Sequence, residues 1–149
     1  MSFAALSLKG RALRLLGSRE HSRSELERKL KRYETVPGTL ACALDELQAK
    51  GLISEQRVID SVLYRNAAKR GTARIRQELL GKGLPDEAIS SALANLQGTE
   101  QERARALWDQ KFGTQPDDLK EAARQIRFLS ARGFGTEIIR RIIKVPTSS

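Results

Sequence analysis

The sequence has 149 residues, of which 40% are hydrophobic, 30% charged and 5% aromatic, with a formal net charge of +9 and a pI near 10.2. So few aromatic residues argue for helices over strands, because aromatic and β-branched side chains are the ones strands select. No apolar run approaches the ~20 residues that span a bilayer. The single cysteine excludes an internal disulfide and fits a reducing cytoplasm, and the excess of positive charge favours a polyanionic partner.

In chain order, the apolar residues recur at helical spacing. Leu8, Ala12, Leu15 and Leu16 share one helix face, which Gly17 is expected to end. Lys9, Arg11 and Arg14 break up this opening stretch and no small-residue cleavage site follows, so a secretory signal is not expected. Ser22-x-x-Glu25 reads as a capping box that opens a second helix with Leu26 and Leu30 inward. A third helix carries Leu40 and Leu44 and closes at Gly51. Cys42, between Ala41 and Ala43, reads there as a small buried hydrophobe.

A fourth helix is expected from about Ser54, and a fifth carries Ile75 and Leu79 and ends at Gly83. Pro85-Asp86-Glu87 place proline and acid in the first turn of a sixth, with Ile89 and Leu93, which Gly98 closes. Thr99-x-x-Glu102 reads as another capping box, opening a helix with Ala104, Leu107, Trp108 and Phe112 that stops at Gly113. Pro116-Asp117-Asp118 put proline and acid in the first turn of an eighth helix, ended by Gly133. A ninth carries Ile139 and Ile143.

These nine helices form three groups that superpose in sequence. A shift of 49 residues lays Leu26 on Ile75, Leu30 on Leu79, Leu40 on Ile89 and Leu44 on Leu93. A shift of 50 carries Leu79 to Leu129, Lys82-Gly83-Leu84 to Arg132-Gly133-Phe134, Ile89 to Ile139 and Leu93 to Ile143. The match loosens where Ile75 falls on Gln125, beside Ile126. The fold class that follows is all-α: three tandem three-helix modules, at 1–50, 51–98 and 99–149, in an elongated, curved array. Such a surface suits a filament or a nucleic-acid strand better than a small molecule.

Catalytic chemistry is sparse. His21 is the only histidine, and its place before Ser22 favours a turn or capping role over general-base catalysis. There is no CxxC, no HExxH, no zinc spacing and no phosphate-binding loop, since Gly81-Lys82-Gly83 closes a helix instead of opening one. A non-enzymatic protein without metal or cofactor is expected.

Basic residues are the positive signal. With Leu26 and Leu30 inward, Arg28 and Arg32 point away from the first module's core. Arg70 and Arg74 do so in the second module, and Arg124 and Arg127 in the third. Lys69, Arg76 and Arg132 extend the set. The opposing reading is a solvated face with internal ion pairs, such as Arg74 with Glu78 at i,i+4. Recurrence in three modules moves the set toward binding.

The segment from Lys50 to Leu93 resembles the most recognisable block of the RecX family, through Gly51-Leu52-Ile53, the run Arg74-Ile75-Arg76-Gln77-Glu78-Leu79 and Lys82-Gly83-Leu84. The stretch from Arg19 to Leu30 is similar to that family's first-module signature. Lys111-Phe112-Gly113 and the stretch from Arg127 to Ile139 resemble its third module. The likeness runs from about Leu8 to Lys144. Two departures stand out: Ser54-Glu55-Gln56-Arg57-Val58 where the family often has an acidic pair before Arg-Phe, and Gly71-Thr72-Ala73 where it often has Gly-Pro or Gly-Gly. The resemblance implies a negative modulator of RecA without catalysis of its own, and a monomer is expected. It would bind the RecA–DNA filament and oppose its growth, ATP turnover, strand exchange and co-protease activity. Any contact with single- or double-stranded DNA is expected to be weak and indifferent to sequence. The rival readings are a helix-turn-helix-like DNA-binding protein without RecA specificity, and a helical scaffold for another partner. Against the first, the segment Asp86 to Asn95 offers few residues that read base edges.

Overall fold

The computed structural model describes residues 6–147. Within them lie α1 (Leu8–Ser18), α2 (Arg23–Leu30), a 3-10 turn (Lys31–Tyr33), α3 (Thr39–Ala49), α4 (Glu55–Asn66), α5 (Thr72–Gly81), α6 (Asp86–Gln97), α7 (Glu100–Lys111), α8 (Leu119–Ala131) and α9 (Thr136–Ile142), and among the described residues there is no strand.

Local chemistry explains most of the boundaries. Ser7 Oγ accepts from the Gly10 amide at the start of α1. At α2 both halves of the capping box form: the Glu25 amide donates to Ser22 Oγ, and the Ser22 amide to Glu25 Oε1, each at 3.0 Å. Ser54 Oγ accepts from the Arg57 amide ahead of α4. The second expected capping box does not form. Thr99 has a near-helical ψ of 1°, because only Gly98 and Thr99 separate α6 from α7, and its hydroxyl donates back to the Leu96 carbonyl. Pro116, Asp117 and Asp118 precede α8 instead of forming its first turn, and Asp118 is the N-cap, accepting from the Glu121 amide at 2.8 Å.

Gly51, Gly83, Gly113 and Gly133 adopt positive φ after α3, α5, α7 and α8, as helix-ending glycines should. Two others do not act as stops. Gly17 lies inside α1, which runs on to Ser18, and Gly98 keeps a right-handed φ of −65° where α6 passes almost directly into α7.

The repeat register is met in the cores. Leu26, Leu30, Leu40 and Leu44, then Ile75, Leu79, Ile89 and Leu93, then Leu129, Ile139 and Ile143 are all buried. Gln125, the mismatch, is itself only 2% exposed. Its Oε1 accepts from Trp108 Nε1 at 2.8 Å and its Nε2 donates to the Thr114 carbonyl, so a polar side chain takes the inward position because an indole N–H needs a partner there. Cys42 is exposed, contrary to expectation. On α3 the buried positions are Leu40, Leu44 and Leu47, and Cys42 lies about 200° around the helix from Leu40.

Contacts divide the chain into two compact units. The first comprises the described residues up to Ser61 together with Gly81–Leu84. Its core joins Ala12, Leu26, Leu30, Leu40, Leu44, Leu47 and Ile53, flanked by Leu8, Leu15, Leu16 and Tyr33. A fully buried leucine of this kind is worth roughly 1.5–3 kcal/mol. The turn at Gly81–Leu84 is held onto α2: Ser22 Oγ donates to the Lys82 carbonyl at 2.5 Å and Arg28 Nη2 to the Gly81 carbonyl at 2.8 Å. Burial alone would raise the Glu25 pKa. Arg19 at 2.7 Å, the Ser22 amide and Lys82 at 3.6 Å instead hold its carboxyl at about 2.

The second unit comprises Val62–Leu80 and the described residues from Pro85 onward. Ala104, Trp108, Leu129, Phe134, Ile139, Ile142 and Ile143 form one cluster of its core, and Phe112 meets Phe128 edge-on at 5.3 Å nearby. Arg103 ties the ends of α4 and α6 to α7 through Nη1 bonds to the Ala67 and Arg70 carbonyls, at 2.6 and 2.7 Å, and an Nη2 bond to the Leu96 carbonyl. The guanidinium satisfies the Ala67 and Arg70 carbonyls beyond the C-terminus of α4 and adds to the bonds that the Leu96 carbonyl already accepts from Thr99.

Candidate partner-binding faces

In the second unit the path from α4 into α5 meets the end of α8. The Gly71 amide donates to the Arg132 carbonyl at 2.7 Å, and the Arg74 Cβ and Cγ lie against Gly133. Lys69, Arg70, Arg74 and Arg132, separated by up to 63 positions in sequence, are thereby gathered at one place in the fold. Arg70 sits in the turn before α5 and is half-buried, so it does not belong to the outward helix face that the spacing predicts. Arg132 is also half-buried. Its guanidinium covers the Phe128 ring at 3.7 Å from the centroid and donates to the Phe128 carbonyl.

Arg74 and Arg76 on α5, Arg127 on α8 and Lys69 before α5 are exposed. Among the described residues none of the four has an acidic group within 4.0 Å. The expected pair of Arg74 with Glu78 is absent. Glu78 instead accepts from Asn66 Nδ2 at 2.6 Å and lies 3.7 Å from Arg65, both on α4. Arg124 differs from these cations: Glu121 takes two of its donors, at 2.9 and 2.8 Å, and its guanidinium lies 5.0 Å from the Phe112 ring centre. The bidentate bond to Glu121 raises the Arg124 pKa and offsets much of its charge.

In the first unit Arg28 is exposed on α2, with its guanidinium bonded to the Gly81 carbonyl. Arg32 falls in the 3-10 turn beyond α2, where Nη2 donates to Tyr33 Oη at 2.5 Å. Both line a concavity shared with Arg11, Arg14, Lys29 and Tyr33. Neither the repeat nor the helical spacing points to those four as a group. Their convergence depends on α1 packing beside α2, and the only signal in the sequence was the i,i+3 pair Arg11 and Arg14.

His21 is buried. Its Nδ1 bonds the Arg19 carbonyl at 3.0 Å and its Nε2 faces Lys29 Nζ at 2.9 Å, so the ring carries its proton on Nδ1 and accepts from the ammonium. Burial, chiefly, lowers its pKa; the bond to the Arg19 carbonyl opposes this, and the positive charges of Arg19 and Lys29 add to the lowering. This is the local turn role expected from its place before Ser22. Among the described residues no three His, Cys, Asp or Glu side chains group to hold a metal, and no helix is long and apolar enough to cross a membrane.

Comparison with known proteins agrees with the repeat. Residues 9–47 match the family model described as "RecX, first three-helix domain", and residues 99–143 match "RecX, third three-helix domain". The chain is 51% identical over 140 residues to the regulatory protein RecX of Leptothrix cholodnii, covering 94% of this chain and 89% of that one. It is 44% identical over 139 residues to the regulatory protein RecX of Ralstonia nicotianae, covering 93% and 87%. Among solved structures, RecX from Lactobacillus salivarius superposes with a TM-score of 0.73 at 20% identity, over 91% of each chain. A second RecX crystal structure gives 0.72 at 22% identity, over 91% of this chain and 70% of that one. These two likenesses establish the fold.

Proposed function

The chain belongs to the RecX family of regulatory proteins, and from that membership we propose that it is a negative regulator of RecA recombinase without catalysis of its own. It binds the RecA–DNA filament in the cytoplasm and opposes filament growth, ATP hydrolysis, strand exchange and co-protease activity, through three-helix modules at 1–50, 51–98 and 99–149. The observation that carries this reading is the family likeness over 94% of the chain, joined to a net charge of +9. Arg74, Arg76 and Arg127 are the contacts it favours, because they are exposed and unpaired among the described residues. Cations not already neutralised contribute most to encounter with a polyanionic filament.

The test is RecA's DNA-dependent ATPase, measured with the protein added up to a stoichiometric ratio. The rate should fall, and the protein alone should hydrolyse no nucleotide. An unchanged rate with folded protein removes the regulator reading, and intrinsic hydrolysis removes the non-enzymatic one. The helix-turn-helix rival has less support. The exposed residues of α6 include Asp86, Glu87, Ser90, Ser91 and Asn95, and no arginine to pair with guanine.

A further inference from the structure

One backbone joint occurs twice in this chain. In the first unit Ser22, the residue before α2, donates from Oγ to the Lys82 carbonyl, and Gly83 packs against Ser24. In the second unit Gly71, the residue before α5, donates from its amide to the Arg132 carbonyl at 2.7 Å, and Gly133 packs against Arg74. Ser22 and Gly71 are 49 residues apart and Lys82 and Arg132 are 50 apart, so the partners are equivalent under the repeat. Each time, the start of one group's second helix receives the turn that ends the second helix of the next group.

The third copy of the receiving half is the start of α8, where a shift of 50 carries Gly71 to Glu121. Among the described residues no turn is seated there. A cavity of about 420 Å³ opens instead, with Asp117, Asp118 and Glu121 on its wall. The first copy of the donating half is the turn Lys31–Tyr33 after α2, at the register of Lys82. The two halves carry opposite free charge. Asp117, Asp118, Lys31 and Arg32 are exposed, and among the described residues none of them has an opposite charge within 4.0 Å. An exposed leucine stands beside each half: Leu119 follows Asp118, and Leu6 lines the same concavity as Arg32.

We propose that the chain associates with itself head to tail, the turn Lys31–Tyr33 of one copy seating at the start of α8 of the next. Lys31 and Arg32 meet Asp117 and Asp118 there, as Lys82 meets Glu25 at 3.6 Å within the first unit. The occupant is a second copy because the two halves match in repeat register and in charge, and both stand on this chain. The turn after α2 has no glycine, so the contact rests on side chains and is weaker than the internal joints. The chain is therefore a monomer when dilute. A net charge of +9 repels copies at long range, but physiological salt screens that repulsion beyond about 8 Å and leaves charges in contact attracted. Because the two surfaces differ, copies add one after another or close into a ring.

The experiment is sedimentation velocity on the full chain alone, from micromolar to submillimolar concentration at physiological salt. The average mass should rise past two copies. Asp117→Asn with Asp118→Asn should weaken association about tenfold, and Lys31→Gln with Arg32→Gln by a similar factor, since each removes one side of the charge pairing. Asparagine is a strong N-cap, so α8 keeps its start, and circular dichroism checks the fold. An equimolar mixture of the two variants holds one intact half from each, so it should regain the parent's affinity yet stop at two copies. A second measurement needs no variant: carbodiimide should couple Lys31 of isotope-labelled copies to Asp117 or Asp118 of unlabelled ones. A parent that sediments as a monomer throughout overturns the proposal, as do variants that associate like the parent. A mixture that stays monomeric overturns it in favour of a contact between like surfaces. Because RecA and DNA are absent, the outcome is separate from that of the ATPase test.

Discussion

Gly71 and Gly133 lie so close that a methyl group added to Gly71 would overlap the Gly133 carbonyl and the Phe134 amide. The Gly71 amide uses this approach to reach the Arg132 carbonyl at 2.7 Å. Backbone against backbone has no flexible end that can yield. Gly71→Ala should therefore destabilise the protein by about 2–3 kcal/mol, the range for overpacking at a site that cannot relax. Gly133→Ala should do at least as much, since it adds a left-handed φ of +89° to a clash with Arg74. Urea denaturation measures both. Near-neutral values would show that this junction is looser than its geometry.

Acid should weaken the first unit through Glu25 and His21. Glu25 titrates at about 2 in the fold, below its ordinary 4.5, so its stabilisation is complete above pH 4.5 and is lost as pH falls toward 2. A shift of that size corresponds to roughly 3–3.5 kcal/mol. His21, lowered from 6.5 by burial, acts with the same sign, present above pH 6.5 and lost as the pH falls through its folded value. Glu25→Gln should flatten the lower part of the stability curve, and His21→Gln the upper part. Thermal midpoints against pH provide the check, and a profile unchanged by Glu25→Gln would contradict the assignment.

Gln125→Leu should destabilise the second unit although leucine is the more apolar residue. The change leaves the indole N–H of Trp108, a residue 3% exposed, without its acceptor. An orphaned buried donor costs about 1–3 kcal/mol. Trp108 is the only tryptophan, so its emission reports the site directly in an unfolding titration. Gln125→Glu, which retains an acceptor, should cost less below the carboxyl's pKa than above it.

Arg103→Met should cost on the order of 2–3 kcal/mol, since it strips three carbonyls of a charged donor while keeping much of the stem's packing. Arg103→Lys should recover only part of this, because an ammonium cannot reproduce the planar fork that spans Ala67, Arg70 and Leu96. Hydrogen exchange at the ends of α4 and α6 is the sensitive measurement.

Charge reversal tests the arginine faces. Replacing Arg28, Arg74, Arg124 and Arg127 by Glu changes the charge by two at each position and takes it from +9 to +1. Association with the RecA–DNA filament should weaken at least ~tenfold. Taken singly, Arg74→Glu and Arg127→Glu should cost more than Arg124→Glu, whose charge Glu121 already offsets. Equal inhibition of RecA ATPase by the quadruple variant and the parent would assign these arginines to a solvated surface.

Much of this molecule was determined by sequence alone, because periodicity and caps are local. Leu26, Ile75 and Leu129 are buried where a helical wheel places them, and Ser22 with Glu25 closes its box within four residues. The family, too, rests on residues in order along the chain. What the sequence left undetermined involves partners far apart in number. Thr99 failed to cap because α6 and α7 run almost together, and Glu78 turned from Arg74 to Asn66 and Arg65 because α4 packs near it. Gln125 became a core residue only once Trp108 stood beside it. The gathering of Arg11 and Arg14 with Arg28, Lys29 and Arg32 required α1 and α2 to pack together. Spacing sets the direction of a side chain around its own helix, but the neighbours it meets are set by how the helices pack.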